Sequence, residues 1–184
     1  MYEILLVRHA KSDWHSHTAD IDRPLNKRGS RDAERMGQYL TQSNISPDRA
    51  VTSVARRAQD TANLVLGSLP TVRDEMTIDK ELYLADLHTL LEAIQLYAIE
   101  GECLMLVAHN PGMDEIVHYL SGTDPVYTDN GKLMTTCAVA HFQLDSIGEL
   151  KRPGKAKLLR IIRPKAVSYT HLTLPTTCRV CGCG

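Results

Sequence analysis

Short apolar runs alternate along this chain with longer segments in which apolar residues recur every three or four positions. Residues 3–7 are rich in branched side chains and stop abruptly at charge, the pattern of a strand buried on both faces that feeds a loop. From Asn26, a residue able to cap a helix, Ala33, Met36, Gly37 and Leu40 follow at helical spacing until Asn44 and Pro47 break the pattern. Residues 49–53 predict the next strand, and Ala58, Ala62, Val65 and Leu66 predict a helix behind it, opened by Arg56 and Arg57. Leu87, Leu90, Leu91, Ile94 and Ala98 form a third helical stripe, residues 103–108 a third strand, and residues 113–120 a short fourth helix. Two later runs, 137–144 and 156–162, read as strands. The alternation predicts a single α/β domain in three layers: a mostly parallel sheet with helices on both faces.

The last residues differ in kind. From Val167 to Gly184 there is one charged residue, Arg179, and no sustained period of 2 or 3.6, so the domain is expected to span 1–166 and residues 167–184 to be a non-native or disordered tail. The stretch Val167-Ser-Tyr-Thr-His-Leu-Thr-Leu-Pro175 resembles translated sequencing-adapter read-through. The alternative is zinc held by Cys178, Cys181, Cys183 and His171, but a second Cys/His pair at the right spacing is missing. Cys103 and Cys137 lie in apolar segments and read as buried thiols.

Charge narrows the function. With 21 Lys and Arg against 22 Asp and Glu, no net field draws the chain to nucleic acid or to an anionic membrane surface. The apolar runs fall far short of the roughly 20 residues of a membrane helix. Residues 1–20 hold Arg8, Lys11 and Asp13 with no apolar signal core, so the expected location is the cytoplasm.

The chemistry gathers at strand ends, where open α/β sheets bind ligands. His9 follows the first strand inside Arg8-His-Ala-Lys-Ser12, and His109 follows residues 103–108 inside Val107-Ala-His-Asn-Pro-Gly112; Arg57 stands just past the strand ending at Ser53. If those strands are neighbours, Arg8, Arg57 and two imidazoles converge, an arrangement that calls for an anion. A phosphoryl group fits, because arginine forks match its oxygens and a helix start near residues 55–57 adds N–H donors. His15 and His17 lack the further ligands of a metal site, His88, His118 and His141 read as ordinary surface or core residues, and Trp14 as a loop aromatic at the pocket rim. No metal or cofactor is called for.

Four motifs in order, Leu5-Leu-Val-Arg-His-Ala-Lys-Ser12, Arg23-Pro-Leu-Asn-Lys-Arg-Gly29, Ser53-Val-Ala-Arg-Arg-Ala-Gln-Asp-Thr61 and Leu106-Val-Ala-His-Asn-Pro-Gly112, resemble the histidine phosphatase superfamily, and within it the SixA-like phosphohistidine phosphatase branch. The run 158–165 also resembles that branch's last strand. The resemblance implies a phosphoglycerate mutase-like fold, His9 as nucleophile, and Arg8, Arg57 and His109 as phosphate ligands. Arg57 is chosen over Arg56 because the pattern Ser-x-x-x-Arg-Ala-x-x-Thr lands there. Lys11 and Ser12 are candidates for touching substrate phosphate. Glu81, with Asp86 as a weaker choice, is the candidate proton donor for an alcohol leaving group; a phosphohistidine substrate expels an imidazole and asks less of an acid. The expected activity is metal-independent phosphate removal from protein histidine, by a monomer. A small-metabolite phosphomonoesterase, a phosphoglycerate-mutase-like transferase and an inactive phosphoprotein-binding module stay open.

Overall fold

The computed structural model describes residues 1–16, 18–69, 76–121 and 124–170. Its frame is a six-stranded sheet in the order β3-β2-β4-β1-β5-β6. The strands are β1 (Tyr2–Arg8), β2 (Arg49–Ser53), β3 (Thr77–Asp79), β4 (Cys103–Ala108), β5 (Val139–Leu144) and β6 (Lys157–Ile162). The helices are α1 (Lys27–Gln42), α2 (Arg56–Leu66), α3 (Leu87–Tyr97), α4 (Gly112–Leu120) and α5 (Pro164–Thr170). The β3–β2, β2–β4 and β4–β1 pairs are parallel; β5 and β6 run antiparallel to their neighbours.

The run in β1 is continuous because both of its faces are covered. Ile4 and Leu6 join Leu104 and Leu106 of β4 in one core, packed with Leu90 and Ile94 of α3 and Met113, Ile116 and Val117 of α4. Leu5 and Val7 join Met105 and Val107 in the other, with Met36 and Leu40 of α1 and Ala58, Ala62 and Val65 of α2. Alternation with period 2 thus persists inside a run that looks uniformly apolar. Asn26 caps α1 by accepting from the Gly29 N–H at 2.8 Å. Asp86 caps α3 by accepting from the Thr89 N–H at 2.9 Å, a structural role that removes it as a free acid.

Two glycines in the motifs mark places where backbones touch. A Cβ on Gly29 would lie 2.2 Å from the Lys11 carbonyl oxygen, and one on Gly112 would lie 2.1 Å from that of Ala85. The first contact presses α1 against the loop after β1; the second seats the start of α4 beside the loop entering α3.

Three features differ from the sequence expectation. β3 was not foreseen: it is three residues long and mostly exposed at the sheet edge, so it carries no apolar pattern. Cys137 lies before β5, not within it, with φ 63° and its N–H donating to the Arg8 carbonyl. The boundary at 166 cuts through α5, and Val167 is 1% exposed in the core with Leu5 and Ile162. One apolar residue creates no period to read, which hid its anchoring role. Residues 171–184, with the cysteine–histidine zinc alternative and most of the adapter-like stretch, lie outside the described residues. A chain ended after Ala166 should be less stable than one ended after Thr170 by roughly 1.5–3 kcal/mol, the cost of removing one fully buried valine; urea midpoints of the two truncations check this, and equal midpoints would show that Val167 anchors nothing.

Candidate active site

The β1–β4 pairing places the two motif histidines together. Arg8 is in register with Ala108, and the His9 N–H continues the ladder to the Ala108 carbonyl at 3.1 Å. His9 and His109 therefore leave adjacent parallel strands at the same edge, with ring centroids 5.0 Å apart and planes tilted by 54°. β2 flanks β4 on its other side, so the first turn of α2 brings Arg57 to the same edge. Of the two adjacent arginines, Arg57 is buried, whereas Arg56 faces solvent beside Asp60.

The third motif explains itself in this setting. Ser53 Oγ lies 2.8 Å from His109 Nε2 and accepts from the Ala55 N–H at 3.3 Å. Thr61 Oγ1 donates to the Arg57 carbonyl at 2.6 Å and accepts from the Ala10 N–H at 2.9 Å. The Ala10 carbonyl in turn takes the His9 Nδ1–H at 2.7 Å. Since a carbonyl can only accept, that bond puts the proton on Nδ1 and leaves the lone pair on Nε2. Ser53 and Thr61 thus bond directly to the candidate site residues, a task that the sequence reading, which quoted both inside a motif, did not assign.

Both imidazoles are held neutral. Burial, then the neighbouring His109 and the charges of Arg57 and Arg8, push His9 down to about 3 against the opposing bond to Ala10. Burial, with Arg57 foremost among the charges, pushes His109 down to about 4. Arg8 donates to the Met134 carbonyl at 2.6 Å, and Asp114 accepts from the Met134 N–H at 2.9 Å and from Asn110 Nδ2 at 2.7 Å, tying the loop before β5 to α4.

An internal anion that the sequence did not disclose sits in this cluster. Asp20, in a short turn of 3-10 helix, accepts from Arg57 NH2 at 3.0 Å and from the Tyr83 hydroxyl at 2.7 Å through one carboxylate oxygen, and pairs with Arg23 through the other at 2.8 Å. The Tyr83 bond, then Arg57 and Arg23, hold its carboxyl below the usual range. Tyr83 meets the His109 ring edge-on at 5.7 Å, and Arg23 stacks 3.7 Å over the exposed Trp14 at the rim. One carboxylate does not satisfy so many donors. Among the described residues six buried side-chain nitrogens or oxygens lack a partner, and four of them, Arg8 Nε, Arg23 Nε, Arg57 Nε and His109 Nδ1, belong to this cluster.

The remaining candidates lie elsewhere. Lys11 is exposed and lines a groove beside Arg8. Ser12 is buried in a bridge to Leu25. Glu81 is a correction: its carboxylate lies 3.8 Å from Lys80 Nζ, and it lines a different groove with Thr89, Glu92 and Leu96, because the turn after β3 carries Tyr83, not Glu81, toward His109. His15 is exposed, and His17 lies outside the described residues. No described helix is long and apolar enough to cross a membrane.

Comparison with known proteins agrees with this geometry. The chain matches the histidine phosphatase superfamily (branch 1) over residues 4–89. Its fold is phosphoglycerate mutase-like and superimposes on the protein histidine phosphatase SixA complexed with tungstate, with a TM-score of 0.75, 20% identity, and coverage of 90% of this chain and 99% of that one. A 2,3-bisphosphoglycerate-dependent phosphoglycerate mutase of Bifidobacterium longum (strain DJO10A) is 37% identical over 81 residues, 40% of this chain and 33% of its own length. The mutase of Mycobacterium leprae (strain Br4923) is 30% identical over 147 residues, 73% of this chain and 59% of its own. The chain thus spans about a third of the length of the first of these relatives.

Two measurements test the positioning chemistry. Thr61→Val should leave the Ala10 N–H unsatisfied, costing about 1–3 kcal/mol of stability, and should lower kcat more than it changes KM, with Thr61→Ser restoring both; an unaltered kcat would show that the Thr61 bond does not reach the nucleophile. Because the folded His9 titrates below an unfolded value near 6.5, the unfolded chain takes up that proton first as pH falls. Stability should therefore decline as pH drops from 6.5 toward 4, and His9→Ala should reduce the slope; urea midpoints across that range provide the check, and identical slopes would mean that His9 is not held neutral.

Proposed function

We propose that the chain is a phosphatase that carries phosphate on His9 Nε2 and releases it to water, with protein phosphohistidine as its substrate. The observation that supports this most directly is the group of four unsatisfied buried donors beside a neutral imidazole whose Nε2 lone pair is free. Buried donors without partners are costly, and a tetrahedral dianion is the ligand that would satisfy several at once.

In the first step His9 Nε2 attacks phosphorus in line with the scissile bond; the P–Nε2 bond forms as the bond to the leaving group breaks. The Arg8 and Arg57 guanidiniums stabilise charge on the transferring oxygens. In the tautomer this mechanism uses, the Ser53 hydroxyl donates to His109 Nε2, leaving Nδ1–H of His109 to donate to a phosphoryl oxygen. A phosphohistidine leaving group departs as an imidazole that takes its proton from solvent near neutral pH. Water then attacks phosphorus, the P–Nε2 bond breaks, and inorganic phosphate leaves with the proton released by that water. The placement of Glu81 in another groove favours a leaving group that needs no strong acid.

The named relatives give a second reading, transfer of the phosphoryl group to a hydroxyl of phosphoglycerate. The two readings separate in a turnover screen of phosphohistidine protein, p-nitrophenyl phosphate, 3-phosphoglycerate and sugar phosphates. Phosphohistidine protein should give the highest kcat/KM. Rapid quenching with labelled substrate should trap an acid-labile, base-stable phosphoramidate, absent in His9→Ala, while His109→Ala should slow turnover on the order of 10²–10³-fold. Near-normal turnover by His9→Ala, or loss of activity on chelation with recovery on adding a divalent ion, would sink the phospho-His9 mechanism.

A further inference from the structure

The cations of this near-neutral chain are unevenly placed. An open groove of about 700 Å³ begins at Arg8, and Lys11, Arg28, Lys132 and Lys165 line it with the hydroxyls of Thr128, Thr135 and Thr136. Five cations in it face one carboxylate, Asp129, although the whole chain carries a net charge of −1. An adjoining depression shares Arg28 and Lys165 and adds Arg31 and Arg35; its carboxylate, Asp32, is buried and already bonded to Arg28 at 3.3 Å. Lys11, Lys132 and Lys165 are exposed, with no ion pair among the described residues. The positive field is therefore local and continuous with the catalytic edge through Arg8.

We propose that this groove docks a run of acidic side chains flanking the phosphohistidine of the substrate protein, an inference that rests on the phosphatase reading given above. Two observations favour a protein segment. The groove's free cations are lysines, point charges on flexible stems that suit carboxylates of variable position better than they suit bidentate capture of a second phosphate. Val126 and Tyr127, which directly precede the groove residue Thr128 in the chain, are exposed and offer apolar contact to a polypeptide. Arg8 itself lines the groove, so acidic flanks are steered toward the same edge that would receive the phosphate.

The test uses the full chain and three synthetic phosphohistidine peptides of equal length, with glutamate, glutamine or lysine at the flanking positions. The ratio of kcat/KM for the glutamate peptide to that for the lysine peptide should be on the order of 10 or more at low salt and should fall toward 1 as ionic strength rises. In Lys132→Glu/Lys165→Glu the ratio should invert, and in Lys132→Gln/Lys165→Gln it should drop partway. Each ratio is internal to one protein, so a loss of folded material does not affect it. Equal rates for all three peptides would overturn the groove assignment while leaving phosphohistidine hydrolysis intact. Failure to hydrolyse any of the peptides, with turnover of 3-phosphoglycerate or sugar phosphates, would remove the phosphohistidine reading and the groove with it.

Discussion

Everything at the edge where β1 and β4 end follows from the need to hold Arg8, Arg23, Arg57 and two imidazoles in one buried cluster. Like charges so close repel strongly where the effective dielectric is low. The chain meets this in two ways: it keeps both histidines uncharged by burying them beside the guanidiniums, and it spends one carboxylate, Asp20, on the arginines. A single carboxylate ties the arginines down without cancelling their charge. What is left over is a set of buried polar atoms without partners and a residue of positive potential, the feature on which the proposed affinity for phosphate rests.

The sheet makes this crowding possible. Strands β1 and β4 are central, buried on both faces and paired in parallel, so their ends cannot slide without moving an entire apolar layer from one core to the other. The antiparallel β5 contributes from the opposite direction: the loop before it delivers the Met134 carbonyl to Arg8, and the Cys137 N–H closes on the Arg8 carbonyl. β1 is thereby gripped on both sides just before His9.

What could be read in the sequence was whatever repeats or stands in a motif. The helices α1, α2, α3 and α4, the strands β1, β2 and β4, and the pairing of His9 with His109 and Arg57 all announce themselves through period or through a run that halts at charge. The hidden parts have no such mark. Asp20 is one aspartate in a polar loop, and its meeting with Arg57 and Tyr83 spans 37 and 63 positions of chain. Tyr83 and Glu81 differ by two residues in a short turn, and only the turn's geometry decides which of them reaches the imidazoles. Asp86 looks like an acid in a functional region until its bond to Thr89 shows it closing a helix.

Thr61 unites two motifs into one machine part. Its hydroxyl is a single pivot between the first turn of α2, through the Arg57 carbonyl, and the loop after β1, through the Ala10 amide, and the carbonyl of that same Ala10 makes the bond that sets the tautomer of His9. The Arg57 guanidinium and the Nε2 lone pair of His9 are therefore mechanically geared: α2 cannot fray or tilt at its start without loosening the proton that keeps Nε2 bare. Reactivity in this design is lost by local loosening of one helix turn, well before the domain itself gives way.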